Sequence, residues 1–416
     1  MNKVYVMGGA QTDFERNWSR EGKNVVAMLR EVMSDGCANA DLTYDDIISL
    51  NEENRVSCFV GSFLSELYND QSHVGALMTE VDPAFFGVPS VRVEAACAAG
   101  AAALDQAVTK IKAGEADVAI VVGWALLNTV DAATSASYTA RGTYVEKESK
   151  STDGLPNLYG KLADAYLEKY GAPADRVMKA LAHLTEIAYE NGKRNPNAQT
   201  RKLFMNEKQA NLRGCSTNPL VAGRLAQSDA TLTTDGAAVV ILASEEFKQK
   251  HCPDRALPVV KGRGFRVAPM ELKTKLTEAR VSDYLLPWTH KTVEEAYKSA
   301  GLTADDIDVF ELYDYYTAGE LIELSCVGLC KPGEEYRLIE DGVIAFDGAK
   351  PVNPTGGLIG GGHPQSATGV RMFLDLYKQL TGTAGGCQVP NQVKNGLMLN
   401  MGGSATSNYA FILGME

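Results

Sequence analysis

No apolar run in this chain is long enough to cross a bilayer. No basic block stands out either. Lys and Arg number 40 against 52 Asp and Glu, a net charge of −12, which argues against a protein that tracks phosphates along a nucleic acid. That acidity leaves room for an anionic small ligand, which needs only a local basic patch. The eight cysteines, at 37, 58, 97, 215, 252, 326, 330 and 387, are scattered and form no disulfide framework. Cys326 and Cys330 fall four apart on a helical stretch, but two thiols without further ligands make no structural zinc site, so we expect no metal. The opening M-N-K-V-Y-V-M-G-G-A runs straight into a strand with no secretory segment. With unclustered cysteines, this leads to the expectation of a reduced, cytoplasmic protein. Histidine is scarce, with five in 416 residues, so each one can be weighed.

What is present is an ordinary globular composition, 45% hydrophobic and 22% charged, with length for two core-forming units. One stretch organises the rest. Val91–Gly123 reads as strand, sharp turn, helix, turn and buried strand, with apolar positions at 101, 104, 107, 108 and 111 in helical spacing. Cys97 stands where the strand hands over to the helix. Unpaired N–H groups and the positive end of the helix dipole favour a thiolate there, which makes Cys97 a candidate nucleophile. The plainer alternative is a small buried hydrophobe.

Around this stretch the pattern predicts strands at Val4–Met7 and Cys58–Val60 and a helix at Asn24–Met33. Between about Asn128 and Arg224, Tyr, Asn, Lys and Arg become frequent and strand signals vanish. Ala163–Lys169 and Arg176–Asn191 read as helices of an insertion lying over the core. An apolar strand returns at 235–244. A second series follows, with Pro258–Lys261 extended, a helix at Val293–Ser299, a strand at Asp308–Leu312 and a helix at Ala318–Leu329. It ends with a glycine-rich turn at 353–369 that opens a helix to Leu380, and strands at 396–400 and 409–413. The two series match, and alternation of strand and helix argues for right-handed βαβ units in layers. A duplicated unit brings the starts of its matching helices together, and so places Cys97 opposite His363. His363 follows Gly360-Gly361-Gly362 and precedes Pro364, a backbone that makes sense where main chain passes close to a ligand. A cysteine nucleophile needs a base within hydrogen-bond reach, and the pair suggests acyl transfer through a thioester.

Six motifs in order carry a resemblance over essentially the whole length: V-E-A-A-C-A-A-G (93–100), L-Y-G-K-L-A-D-A-Y (158–166), N-P-N-A-Q (195–199), T-D-G-A-A-V-V-I-L-A-S (234–244), V-F-E-L-Y-D-Y-Y (309–316) and N-P-T-G-G-L-I-G-G-G-H-P (353–364). The chain resembles the thiolases, nearest to the sterol-carrier-protein-type branch. The resemblance implies an α/β thiolase fold, five-layered αβαβα, of two duplicated βαβαβαββ halves with a mostly helical lid insertion. The halves would be 1–127 with 225–250, and 251–416, and the lid 128–224. It implies a homodimer, an acyl-CoA substrate with coenzyme A as co-substrate, and no tightly bound cofactor. Cys97 matches the acyl-carrying nucleophile and His363 the histidine that activates it. Gly402 is expected to supply a backbone N–H to an oxyanion hole, and Tyr159, Gly361 and Gly362 to contact substrate.

Two positions depart from the family pattern. The C-x-G turn that carries a second, acid/base cysteine reads Asn400-Met401-Gly402 here, and the H-D-C-F motif that can replace it reads Tyr313-Asp314-Tyr315-Tyr316. An amide does not exchange a proton near neutral pH, and a phenol with a pKa of about 10 needs strong perturbation to do so. Either His363 handles both proton transfers, or coenzyme A serves as its own thiolate, or activity is lost. The loss of the second cysteine resembles thiolase subunits that work beside a small zinc-ribbon/OB-fold partner. The opening A-Q-T-D-F-E-R-N-W-S-R-E-G-K (10–23) resembles the group of anaerobic toluene breakdown, which cleaves benzoylsuccinyl-CoA with coenzyme A. An aromatic acyl pocket suits Tyr138, Tyr144, Tyr159, Tyr313, Tyr315 and Tyr316. The expected activity is thiolytic cleavage of a 3-oxoacyl-CoA through an acyl-Cys97. The alternatives are a non-catalytic subunit that binds or channels acyl-CoA, and a condensing, acetoacetyl-CoA-forming thiolase.

Overall fold

The continuous apolar runs of the sequence become strands buried along their whole length. Val118–Ala125 (β4) and Gly236–Ser244 (β5) pair antiparallel in the middle of the first half-sheet. The computed structural model describes residues 3–149 and 154–416. Val4–Gln11 (β1), Val56–Gly61 (β2) and Ser90–Val93 (β3) complete this half, in the order β3-β2-β4-β5-β1. The second half holds Val259–Val267 (β6), Val309–Glu311 (β7), Asn395–Gly402 (β8) and Ser407–Gly414 (β9), in the order β7-β8-β9-β6. Val352 bridges Phe310 beyond β7 and so stands where β3 stands in the first half. The repeated order is the duplication that the sequence pattern suggested. The halves meet edge to edge through β1 and β6, at Tyr5 opposite Val259, and join into one nine-stranded mixed sheet.

Four helices set the layers. Val25–Ala40 (α1) covers β1 and β5 from outside, and Pro287–Ala300 (α5) covers β6 and β9. Between the half-sheets lie Ala99–Lys112 (α2) and Gln365–Thr381 (α7). α7 buries every residue but Lys378 and Thr381, as a helix between two sheets must. α2 and α7 approach at backbone distance. A Cβ on Gly100 would lie 2.4 Å from the Ser366 carbonyl oxygen, and one on Gly369 would lie 2.6 Å from the Ala101 nitrogen. Only glycine fits such a crossing, so the two helix starts are forced together. Several elements run longer than the sequence predicts, α1 to Ala40 and α5 from Pro287, because burial against a sheet extends a helix past its weakly patterned ends.

In the stretch 128–224 the described residues are mainly helical, with Gly154–Tyr170 (α3) and Ala174–Arg194 (α4) as the longest helices. Strand is not wholly absent there: Leu220–Ala222 pairs with Leu225–Ala226 in a small hairpin. Residues 150–153 of this stretch lie outside the described residues. Thr317–Cys326 (α6) packs under α3 and α4 and is buried throughout. Among the described residues, no helix is long and apolar enough to cross a membrane.

Candidate active site

Cys97 sits on a tight turn between β3 and α2. Ala96, just before it, is held at φ 52°, a left-handed backbone that an alanine adopts at a cost of about 1–2 kcal/mol. The turn closes on itself: Ala98 N–H donates to Ala95 C=O at 3.1 Å and Ala99 N–H to Ala96 C=O at 3.0 Å, while the Glu94 carboxylate accepts from Ala96 N–H. Strain at such a place points to function, because it persists only where the surroundings enforce it.

His363 ends a glycine-rich loop that is braced from outside. The Asp314 carboxylate accepts from the N–H groups of Leu358 (2.6 Å) and Ile359 (3.0 Å), and a Cβ on Gly357 would strike it. The N-P-N-A-Q motif supplies a second brace: Asn195 donates to Thr355 C=O, and the N–H groups of Gln199 and Thr200 donate to Gly361 and Gly360 C=O. The His363 N–H donates to Thr234 Oγ1 at 2.9 Å. Its Nδ1 lies 2.8 Å from Thr368 Oγ1 and its Nε2 lies 3.3 Å from the Tyr313 hydroxyl. With the ring proton on Nδ1 and donated to Thr368, Nε2 is left to accept from Tyr313.

Tyr313 lies close to both Cys97 and His363. Its hydroxyl lies 3.3 Å from His363 Nε2 and near enough to the Cys97 sulfur to pull the thiol pKa down, and its backbone N–H donates to the Glu323 carboxylate at 2.8 Å. All three are buried: Cys97 is 2% exposed, His363 3% and Tyr313 0%. Burial pushes the Cys97 thiol up to about 11, against the pull of the Tyr313 hydroxyl and the Gly403 N–H. Burial and the nearby Arg371 push His363 down to about 3, and burial raises Tyr313 well above a free phenol. This corrects the expectation of a thiolate at the helix start. Desolvation outweighs the helix end, and the resting trio is thiol, phenol and neutral imidazole.

The backbone amide near the Cys97 sulfur is that of Gly403, one position past Gly402, the glycine expected to supply an oxyanion-hole N–H. Gly403 N–H faces Cys97, while Gly402 packs so closely that a Cβ would lie 2.3 Å from Ala95 C=O. Gly403 lies at φ 64°, and its carbonyl accepts from the Tyr159 hydroxyl at 3.2 Å. Asn400 stands apart from this network. It is fully buried, its amide has no partner among the described residues, and its Oδ1 lies against Gly369 on α7.

A cavity of about 500 Å³ opens onto His363, Tyr315 and Gln365, walled by Thr233, Thr139, Ser135 and Leu127 among others. Tyr159, Gly361 and Gly362 are not on this wall. Tyr159 lies behind it, its ring packed on Tyr315 and Tyr316. The two glycines pack inside the loop, where side chains would strike Gly357 C=O and Thr234. Of the other tyrosines, Tyr138 packs edge-on against Tyr68, and Tyr144 is exposed. Cys326 and Cys330 belong to no group with metal-ligand geometry among the described residues. Among the described residues, the cluster with metal-ligand geometry is His183, Glu186 and Glu207 on the insertion. Sequence reasoning missed Thr234, Thr368, Gly403 and Gln365. The first belongs to the T-D-G-A-A motif and the last follows H-P directly, but no spacing rule singles them out.

Comparison with known proteins accords with this geometry. Residues 4–208 match the family described as "Thiolase, N-terminal domain" and residues 272–415 the "Thiolase C-terminal domain-like" family. The chain is 30% identical over 407 residues to the acetyl-CoA acetyltransferase of Methanothermobacter thermautotrophicus, covering 97% of each. It is 27% identical over 415 residues to bovine sterol carrier protein 2, covering 96% of this chain and 70% of that one. Among solved structures, one described as "Ltp2-ChsH2(DUF35) aldolase" superposes with a TM-score of 0.78 at 18% identity, covering 99% of this chain and 98% of that one. A monomeric SCP2-thiolase like protein type 1 from Mycobacterium smegmatis superposes with a TM-score of 0.69 at 17% identity, covering 99% and 77%, and at such identity both share the fold alone. The chain belongs to the thiolase family and is an acyl-CoA acyltransferase that takes coenzyme A as a substrate.

Proposed function

We propose that this acyltransferase cleaves a 3-oxoacyl-CoA by thiolysis, with Cys97 as nucleophile and His363 acting on it through Tyr313. The observation that carries the reading is the Tyr313 hydroxyl, 3.3 Å from His363 Nε2 and near the Cys97 sulfur. The Cys97 proton passes to the Tyr313 oxygen as the Tyr313 proton passes to Nε2, so a thiolate forms and no phenolate accumulates. The sulfur attacks the 3-keto carbon. The C2–C3 bond breaks, the acyl group stays on Cys97, and the electron pair leaves with C2 as the enolate of the shortened acyl-CoA. That enolate takes the proton back from His363. The thiol of coenzyme A then attacks the acyl-Cys97 thioester and its proton returns to the cysteine by the same route. One relay thus serves both half-reactions, which answers the absence of a second cysteine at Asn400. Gly403 N–H beside the sulfur is the donor for the charge that develops there; such donors contribute on the order of 10²–10³ in rate. In this reading 1–127 with 225–250, and 251–416, are the catalytic halves, and 128–224 is the lid. Asn400 and Gly402 shape the floor without exchanging protons, and Tyr159, Gly361 and Gly362 support the wall from behind.

The finer reading is an aromatic substrate, benzoylsuccinyl-CoA, released as benzoyl-CoA and succinyl-CoA. Its supports are the opening motif at 10–23 and the tyrosine layer of Tyr315 on the cavity wall with Tyr316 and Tyr159 packed behind it. A homodimer fits the open edge strand β3, where Val91 is 51% exposed. A small zinc-ribbon/OB-fold partner fits the likeness to a structure that contains a DUF35 protein. A cytoplasmic setting fits eight cysteines without a disulfide among them.

Mixing the protein with a 3-oxoacyl-CoA and digesting it for mass spectrometry should reveal the acyl group on the Cys97 peptide. Cys97→Ala should lose that adduct and about 10⁴-fold in turnover. Turnover that survives in Cys97→Ala overturns the nucleophile. A wild type unacylated by aliphatic and aromatic substrates alike, with its partner present, overturns thiolysis and leaves acyl-CoA binding without catalysis.

A further inference from the structure

Lys275 is the best-buried lysine of the described chain, 2% exposed, in the short helix Leu272–Ala279. Lysine is almost never buried to this extent without a partner. Its Nζ donates to Ser404 C=O at 2.6 Å, Ser404 Oγ at 2.9 Å and Thr406 Oγ1 at 2.8 Å, so the three N–H bonds of an ammonium meet three acceptors of one turn. That turn is the one that carries Gly403. It is pinned from the other side by the Tyr159 hydroxyl on Gly403 C=O, and closed by Thr406 N–H donating to Gly402 C=O. A glycine at φ 64° does not hold its own amide in one direction, so what holds its neighbours aims its N–H at Cys97.

We propose that Lys275 is a positioning residue for the acyl-transfer site, clamping the 402–406 turn so that Gly403 N–H faces the Cys97 sulfur. The inference rests on the reading of Cys97 as the nucleophile. Glu148 is the charged group whose field favours the lysine's charge. It accepts from Leu272 N–H at 2.7 Å and so ties the insertion to the same short helix. Burial opposes that charge and brings Lys275 down to about 7. The clamp therefore has all three donors below neutral pH, and one fewer as the amine becomes neutral through about pH 7.

The test uses the full chain and two variants, Lys275→Met, which keeps the packing and removes the donors, and Thr406→Val, which removes one acceptor and keeps the lysine. The first readout is the pH midpoint of iodoacetamide alkylation of Cys97, followed on its peptide by mass spectrometry. It needs no acyl-CoA, so it speaks even if the thiolysis reading fails. The second is kcat and KM with a 3-oxoacyl-CoA. Lys275→Met should raise the alkylation midpoint by about one pH unit and lower kcat about 10–100-fold, with KM changed less than about twofold, because a donor that acts on developing charge changes the chemical step and not binding. Thr406→Val should move both readouts the same way and less far. A folded Lys275→Met with the wild-type midpoint and kcat overturns the proposal. So does a lower melting temperature with an unmoved midpoint, the mark of a lysine that only supports the fold. If Lys275→Met does not fold, Thr406→Val decides by the same criterion.

Discussion

Cys97 and His363 each stand at the start of a central helix, and each follows a residue in the left-handed region, Ala96 at 52° and Gly362 at 111°. Their surroundings differ in kind. The Cys97 turn is small and nearly self-sufficient, built of alanines and a glycine and closed by its own backbone. The His363 loop has glycines at 356, 357, 360, 361 and 362, and its own backbone bonds, Gly360 and Gly361 N–H to Gly356 C=O and Gly362 N–H to Leu358 C=O, are supplemented from outside. Asp314, Asn195, Thr234 and Thr368 hold it from four separate segments. In the proposed mechanism the difference follows from what each residue does there. A nucleophile that becomes an acyl carrier needs room beside it, which small neighbours provide. A base that must hold one tautomer needs a fixed ring, which outside hydrogen bonds provide to a glycine loop.

The sharpest way to break this comparison is to disable the base and leave its braces intact. His363→Asn should cost about 10³-fold in kcat, and Tyr313→Phe about 10²-fold, the usual range for a group in general acid–base catalysis. If the hydroxyl is the relay, Tyr313→Phe should also slow acylation and deacylation of Cys97 together, as stopped-flow single turnovers would resolve. A Tyr313→Phe enzyme with wild-type kcat would mean that His363 reaches the sulfur directly.

A smaller effect separates the two starts by their response to acid. His363 is held at about 3 in the folded chain against 6.5 unfolded, so between these values the unfolded chain binds the extra proton. The stability due to its neutral burial is present above pH 6.5 and is lost as pH falls towards 3, on the order of a few kcal/mol in all. Cys97, neutral throughout that window, adds nothing to it. Denaturant melts of wild type and His363→Asn from pH 7 to pH 4 should therefore show wild type falling more steeply. Parallel curves would show that the histidine is not buried as described.

The same contrast explains what the sequence made legible. Strands β4 and β5, the two central helices and the approach of their starts follow from apolar runs, helical spacing and a repeat. The braces do not. Asp314 lies in a recognisable motif, yet its use on Leu358 and Ile359 N–H depends on a contact across 44 positions. Lys275 gave no signal at all, since a lysine in an amphipathic stretch reads as surface. At Cys97 the helix end is visible in sequence, while the burial that raises its thiol is not. Gly403 and Gly402 differ by one position, and only the backbone conformation tells which amide turns inward.

The gentlest test exchanges the residues at the two strained positions. Ala96→Gly removes a side chain from a left-handed position, while Gly362→Ala adds one at 111°, where its Cβ would also lie 3.0 Å from Thr234 Cγ2. Glycine loses more chain entropy on folding than alanine, but relief of the strained φ outweighs that loss, so Ala96→Gly should stabilise by about 0.5–1 kcal/mol. Gly362→Ala should destabilise by more than that, because strain and contact add. Activity should also divide. If the Cys97 turn is closed by its own backbone, Ala96→Gly should keep kcat within about twofold, since the bonds from Ala98 and Ala99 N–H use no side chain. If the His363 loop depends on Thr234, pushing that side chain away should loosen the ring, and Gly362→Ala should lose kcat beyond what its melting temperature accounts for. Equal losses of activity in the two variants would show that both starts are held in the same way.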